Sequence, residues 1–393
     1  MALRTLTPPW PLLLGTSSLL FVVMVASFTP TPLYPLYQDQ WGLTDGYIGI
    51  AFTAYPASVV LTLIFLGGLS DRFGRRDTLI IATVILGIAL IILASATVYP
   101  LLVLGRFVQG IAAAMAAGAG AATLMESHPG GVARGALINT LSVAGGSAVG
   151  PLLAGLLADS TPIPLVAPYL VILLFLPVPF ILLLKSRDVV PKTRDARLVR
   201  PIRLPRSIWA AFSVAAATVL GTNLCMGIYG SFGSNIAGTV GWSSEALSGL
   251  LVSIVLFMVA AVQPFNRNLQ PKISMIVGLA SCAIGWALVT VAAILAIVPV
   301  MVIGSMAVGG GAGLCLMGSA ALVGAISPVD RRAEIYSSYL IVAFSALGVT
   351  ALISGPLIGL VSITAVVMTA SVACAILTAY VLFGSRRWLA RAI

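Results

Sequence analysis

The chain has 393 residues, 60% of them hydrophobic and 8% charged, with 21 Lys and Arg against 11 Asp and Glu and a formal net charge of +10. That is more apolar surface than one globular core takes up, so the chain belongs in a bilayer, and it contains no basic folded domain that would make nucleic acid a partner. The single histidine, His128, excludes a multi-histidine metal site; Cys225, Cys282, Cys315 and Cys374 form no CxxC pair and read as small packing residues, so neither a metal nor a cofactor is called for.

A hydrocarbon layer about 30 Å thick takes about 20 helical residues to cross. Twelve apolar runs of that order follow one another, at 11–37, 46–69, 77–97, 99–125, 135–158, 165–184, 207–232, 246–264, 273–294, 297–324, 335–359 and 363–383. Each is predicted to be helical, because a lone strand or loop in lipid leaves backbone groups unpaired. The first run has no A-x-A-like cleavage site and exceeds the apolar core of a signal peptide, so it reads as a span.

With a cytoplasmic N-terminus, every Lys and Arg except Arg106 falls on the inside. They run from Arg4 and the group Arg72, Arg75 and Arg76, through Arg134 and the dense stretch Lys185 to Arg206, to Arg267, Lys272, Arg331, Arg332 and the tail Arg386, Arg387 and Arg391. Asp39, Asp45, Asp159 and Glu245 fall outside. This is the positive-inside pattern for an even number of spans, and the net charge reads as topology and contact with anionic membrane lipid. The polar stretch near the midpoint carries Pro191, Pro201 and Pro205, as a linker would. An offset of 199 residues lays Pro129 on Pro328 and Gly110 on Gly309, a weak internal repeat of the kind found in transporters that bind substrate between two halves. The expected fold is all-α and integral to the membrane: twelve transmembrane helices in two six-helix halves, 1–186 and 207–393, joined by a basic cytoplasmic linker, 187–206.

Charge is concentrated in GGLSDRFGRRDTL, Gly67 to Leu79, between the second and third spans. Gly67, Leu69, Asp71, Arg72, Gly74, Arg75, Arg76 and Leu79 fit G-x-L-x-D-R-x-G-R-R-x-x-L, and the stretch resembles the loop signature of the major facilitator superfamily. Gly74 permits a tight turn, while Asp71 caps a helix or forms a salt bridge across the seam between halves; a solvated loop that only anchors topology is the plainer alternative. In LVLGRFVQGIAAA, Arg106, Gln109 and Gly110 resemble the fourth-span motif R-x-x-Q-G. Glu126 follows 126 − 106 = 20 residues later, about 30 Å along a helix and so at the opposite membrane face beside the charged loop. The resemblance implies that Arg75 or Arg76 pairs with it as a conformational latch. The corresponding loop of the second half, QPFNRNLQPK, has Asn266 in the acidic place, so no second latch is expected.

Gly146, Gly150, Pro151 and Gly155, in GGSAVGPLLAG, are similar to the fifth-span motif G-x-x-x-G-P-x-x-G-G, with Ala154 in place of one glycine. Small residues at i, i+4 let helices approach closely and the proline weakens the hydrogen-bond ladder. The family associates this motif with exporters that work as antiporters, so the chain resembles the drug/proton antiporter branch. The resemblance implies proton-coupled export of a small amphipathic molecule across the cell inner membrane by a monomer that alternates access. Uptake of a sugar or organic acid is the reverse alternative, and a non-transporting receptor a different class. An enzyme would need convergent nucleophiles, bases or metal ligands at membrane depth, and the spans supply almost none.

No Asp or Glu falls in the middle of a span. Asp39, at the outer end of the first, is the nearest proton-binding candidate, or else a helix-end acid. Tyr34, Gln109, Asn139, Asn223, Tyr229 and Tyr339 are candidate cavity residues, and each is equally readable as a packing residue. Arg106 stands about two turns into the fourth span, where an arginine costs about 2.5–3.5 kcal/mol on insertion scales unless protein or water compensates it. Either it faces the cavity, to bind a substrate anion or favour ionisation of a nearby carboxyl, or it bonds backbone carbonyls bared by Pro30, Pro32 and Pro35.

Overall fold

A computed structural model describes residues 10–188, 204–266, 268–328 and 331–387, and every regular element among them is helical. The first half contains α1 (Trp10–Phe28), a 3-10 turn (Thr31–Leu33), α2 (Tyr34–Trp41), α3 (Asp45–Leu66), α4 (Leu69–Phe73), α5 (Arg75–Ala94), α6 (Tyr99–Ser127), α7 (Gly131–Ser160), α8 (Ala167–Phe175) and α9 (Pro177–Lys185). The second half contains α10 (Trp209–Gly238), α11 (Glu245–Phe265), α12 (Pro271–Leu295), α13 (Val298–Ile326), α14 (Arg332–Leu360) and α15 (Ile363–Arg387).

These helices make 12 segments long and apolar enough to cross a membrane, at the positions expected from the sequence. Two of them are broken rather than continuous. Pro30, Pro32 and Pro35 have no N–H to extend the ladder, so α1 gives way to the 3-10 turn before α2 resumes. Pro177 and Pro179 do the same between α8 and α9. Both described ends of the chain, Trp10 and Arg387, emerge on one face together with the 67–76 loop, Glu126 and Lys185; this is the basic face. Asp39, Asp45, Asp159 and Glu245 lie at helix ends on the opposite face. The linker expected at 187–206 falls mostly on residues 189–203, which with Arg4, Arg267 and Arg391 lie outside the described residues.

The two halves are built alike. A Cβ on Gly110 of α6 would strike Ser58 and the carbonyl of Tyr55 in α3; one on Gly309 of α13 would strike the carbonyl of Val255 and stand 3.0 Å from Met258 in α11. The halves meet at the opposite face, backbone against backbone. A Cβ on Gly49 of α3 would stand 2.5 Å from the carbonyl oxygen of Ala351 in α14, and one on Gly355 of α14 equally close to that of Asp45. Across the second seam Gly249 of α11 abuts the carbonyl of Pro151 in α7, and Gly155 of α7 that of Glu245. Each residue of one seam lies 200 positions from its counterpart in the other (249 − 49, 351 − 151, 355 − 155, 245 − 45), so a pseudo-two-fold axis relates the seams. Next to it Thr31, in the break of the first span, donates to the carbonyl of Gly230 at 2.8 Å. Two residues on, α10 kinks at Phe232.

Towards the basic face the halves part. From Gly131 to Gly145 of α7 only Gly135 is buried, and Val132 is 64% exposed. The molecule is sealed at the opposite face and open at the basic one.

Candidate transport site and gates

The break in the first span leaves the carbonyls of Ala26 and Ser27, among others, without a helical donor, because Pro30 cannot bond Ala26 and the 3-10 turn withdraws Thr31 from Ser27. The fourth span supplies both bonds. Gln109 Nε2 donates to the Ala26 carbonyl at 2.7 Å and Arg106 Nη1 to that of Ser27 at 2.9 Å. Arg106 Nη1 also bonds Gln109 Oε1 at 2.5 Å, so the i, i+3 spacing places both side chains on one helix face with one head group holding the other. Gly110 brings that face against α3, where the Tyr55 and Phe52 rings lie 4.7 and 5.7 Å from the guanidinium carbon.

Arg106 is 1% exposed, and among the described residues no carboxylate lies within ion-pair distance. The rings offset part of its desolvation. Its Nε makes no hydrogen bond of regular geometry among the described residues, and the hydroxyl of Tyr34, itself 1% exposed, lies close to the guanidinium. Of the two readings of Arg106 open in the sequence, the carbonyl-bonding one is thus realised in this conformation, while its charge has no ion-pair partner among the described residues.

At the basic face Arg75 holds Glu126 through a bidentate pair, Nε to Oε2 at 2.9 Å and Nη2 to Oε1 at 2.8 Å, with Asp71 3.8 Å from Arg75. Arg76 donates to the Leu183 and Leu184 carbonyls at 2.9 Å each, capping the end of α9. Gly74 turns the chain between α4 and α5 with φ 98°, a conformation that favours glycine. Gly67 ends α3 and Arg72 lies over the Phe73 ring. The Arg75–Glu126 pair joins α5 to α6 inside one half and is complete while the basic face stands open. Of the two partners the resemblance implies for Glu126, Arg75 is thus the one that meets it, and the pair lies within the first half.

In α7, Gly146 and Gly150 admit the Phe21 and Val25 carbonyls of α1, whereas Pro151 and Gly155 belong to the seam with α11. The small-residue stripe thus serves two helices, one in each half. Asp159, one turn beyond, accepts from Ser244 Oγ and from the backbone N–H groups of Glu245 and Ala246, both at 3.1 Å, so an acid of the first half caps a helix of the second. In the other seam Asp45 Oδ1 accepts from Gln38 at 3.0 Å and from Asn235 of α10 at 3.4 Å. Sequence reasoning passed over these gate residues; the signals available were an acid four residues after Gly155, the S-E cap at Ser244 and the 200-residue offset of the glycines.

Tyr229 and Tyr339 are not cavity residues here. Tyr229 bonds Ser305 at 2.8 Å and stacks on Trp286, and Tyr339 bonds Ser319 at 2.7 Å, each inside the core of the second half because a serine of α13 offers the buried hydroxyl a partner. Asn223 donates to its own helix at the Val219 carbonyl, 2.9 Å away, and like Asn139 is half-buried. Asp39 is exposed at the end of α2. The four cysteines are free and buried.

Twelve spans in two pseudo-symmetric halves, sealed at one face and open at the other around a buried cation, have the architecture of a secondary transporter. Residues 16–285 match the family model described as Major Facilitator Superfamily, and the chain belongs to that superfamily. It is 33% identical over 79 residues to the multidrug resistance protein MdtL of Shewanella sp. (strain ANA-3), covering 20% of each chain. It is 28% identical over 238 residues to the multidrug resistance protein MdtG of Escherichia coli (strain SMS-3-5 / SECEC), covering 57% of each. The matches thus span between a fifth and just over half of these relatives' length. A bacterial homologue of the human lysosomal transporter Spinster shares the fold, with TM-score 0.77, 13% identity and coverage of 98% of this chain and 99% of that one.

Proposed function

We propose that this multi-pass membrane protein exports a small amphipathic compound in exchange for protons, by rocking residues 1–186 against 207–393. The observation that carries the reading is the seam. Its contacts are mostly glycine against backbone, with Asp159 capping α11 and Asp45 meeting Asn235, so they hold one face closed in this state through close approaches that a rocking of the halves can break. The basic residues assign the open face to the cytoplasm, which makes the state inward-open. The export direction is supported by the fifth-span resemblance and by relatives named for multidrug resistance.

In this reading the Arg75–Glu126 pair and the bonds from Arg76 keep the charged loop rigid, so that Asp71 can engage the second half when the cytoplasmic side closes. Arg106 is the functional cation. Its carbonyl bonds tie it to the break in the first span, so movement of that break changes how much of the guanidinium is engaged. Asp39 is the candidate proton carrier. Purified protein in liposomes tests the proposal: substrate added on one side should move protons across the membrane, and expression in an efflux-deficient bacterial host should raise resistance to the transported compound. Flux indifferent to a pH gradient would refute proton coupling. The buried charge of Arg106, which has no ion-pair partner among the described residues, supports a second reading, uptake of a small organic anion, which counterflow in vesicles of opposite orientation separates from export.

A further inference from the structure

The sixth span bends at Pro177 and Pro179. Beside the bend a groove of about 690 Å³ runs between α9, α8 and α7, with α1 as its floor. It is separate from the seam and from Arg106. Its surface is hydrocarbon: among the described residues that line it only Ser17 and Ser18 are polar, and they turn their hydroxyls back to the Leu14 and Gly15 carbonyls of their own helix.

The dimensions limit what fills it. The floor runs from Leu14 to Val25 and the wall antiparallel to it from Leu182 to Val171. Eleven residues of helix measure about 16 Å, half of a hydrocarbon core about 30 Å thick, so the groove spans the acyl layer of one leaflet. Water has nothing to bond in it, and an empty cleft of this size would forfeit packing along two helices. Its mouth lies at the basic face. Lys185 is one turn beyond Leu182 on the same stripe of α9, and Trp10 one turn before Leu14; both are exposed, with Arg187 two residues further on. Lys and Trp at the end of a span sit at headgroup level.

We propose that this groove binds one acyl chain of an anionic phospholipid of the leaflet at the basic face, with the headgroup phosphate met by Lys185 and Arg187. The inference rests on the reading that this face contacts anionic lipid, and it adds a defined site on the floor formed by the broken first span. The bound chain fills the space into which the sixth span would otherwise collapse against α7.

Native mass spectrometry of delipidated protein titrated with phosphatidylglycerol or phosphatidylcholine of identical chains is the test, because it reads lipid binding independently of transport. The wild type is expected to retain one phosphatidylglycerol in preference to phosphatidylcholine. Filling the groove with Val149→Trp and Val178→Trp should lower that adduct more than about tenfold, since several buried methylenes are displaced. Lys185→Gln with Arg187→Gln should leave chain binding but cut the phosphatidylglycerol preference about fivefold or more per charge. Val149→Phe alone is the milder form should the double variant not fold. Undiminished lipid retention in the folded, filled variant would overturn the site. An unchanged headgroup preference in the Lys185/Arg187 variant would overturn the headgroup assignment. Displacement of the lipid by a transported compound would make the groove a substrate entrance instead.

Discussion

Gly155→Ala puts one methyl group into the seam that closes the opposite face. The new Cβ would abut the Glu245 carbonyl oxygen and stand 2.7 Å from its carbon and 2.9 Å from Ala246 Cα, against an ordinary contact of at least 3.4 Å. All three atoms are backbone, so no side-chain rotation relieves the clash, and α7 and α11 must separate locally by at least 3.4 − 2.7 = 0.7 Å. Overpacking of this kind costs about 1–3 kcal/mol. The cost falls on the sealed state alone, because in a state opened at this face the two helices are apart. The equilibrium should therefore move towards opening by about 5- to 150-fold. Alanine is also the better helix former by about 1 kcal/mol, so any loss of sealing is not a loss of helix. The assay is double electron-electron resonance in a cysteine-free background, with one label pair at Ile163 and Ser243 on the opposite face and another at Val132 and Tyr336 on the basic face. The first distance should lengthen and the second shorten. Gly355→Ala, in the symmetric seam, should act in the same direction. Distance distributions equal to wild type in both variants would refute the seam as the closing element.

Asp159→Asn removes a charged cap from α11 and should shift the same equilibrium towards opening by about 0.5–2 kcal/mol, read from the same labels. Arg106→Ala should abolish transport in protein that still inserts and elutes as one species, and Arg106→Lys should restore only part of it, because an ammonium keeps the charge without the planar fork; normal transport by Arg106→Ala would remove it from the mechanism. Gln109→Leu bares the Ala26 carbonyl and should cost about 1–3 kcal/mol of stability, seen as a lower melting temperature in detergent. Glu126→Gln breaks a pair whose acid is 45% exposed, so stability should fall by no more than about 1 kcal/mol while transport drops severalfold if the rigid loop is needed for closure. Asp39→Asn should abolish substrate-driven proton movement in liposomes and leave downhill exchange intact; proton flux at the wild-type rate would place the carrier elsewhere.

Much of this molecule follows from the sequence through the demands of the bilayer. Apolar runs had to be helices, and basic residues had to collect between them, so twelve spans and their polarity were legible without coordinates. Pro30, Pro32 and Pro35 announced a broken first span, and Arg106 with Gln109, three residues apart, had to share a helix face. What the sequence left open was which partner each group meets. Arg106 could have faced substrate or backbone, and only packing shows its bond to the Ser27 carbonyl with Nε left over. Tyr229 and Tyr339 were equally readable as cavity or as packing residues, and only the fold shows that each bonds a serine of α13 in its own half. The pairing of Gly155 with Glu245, and of Asp159 with the start of α11, joins residues about 90 positions apart in different halves. No local pattern encodes such a contact: it exists only in the conformation in which the opposite face is sealed, and that choice is made by how two finished halves fit together.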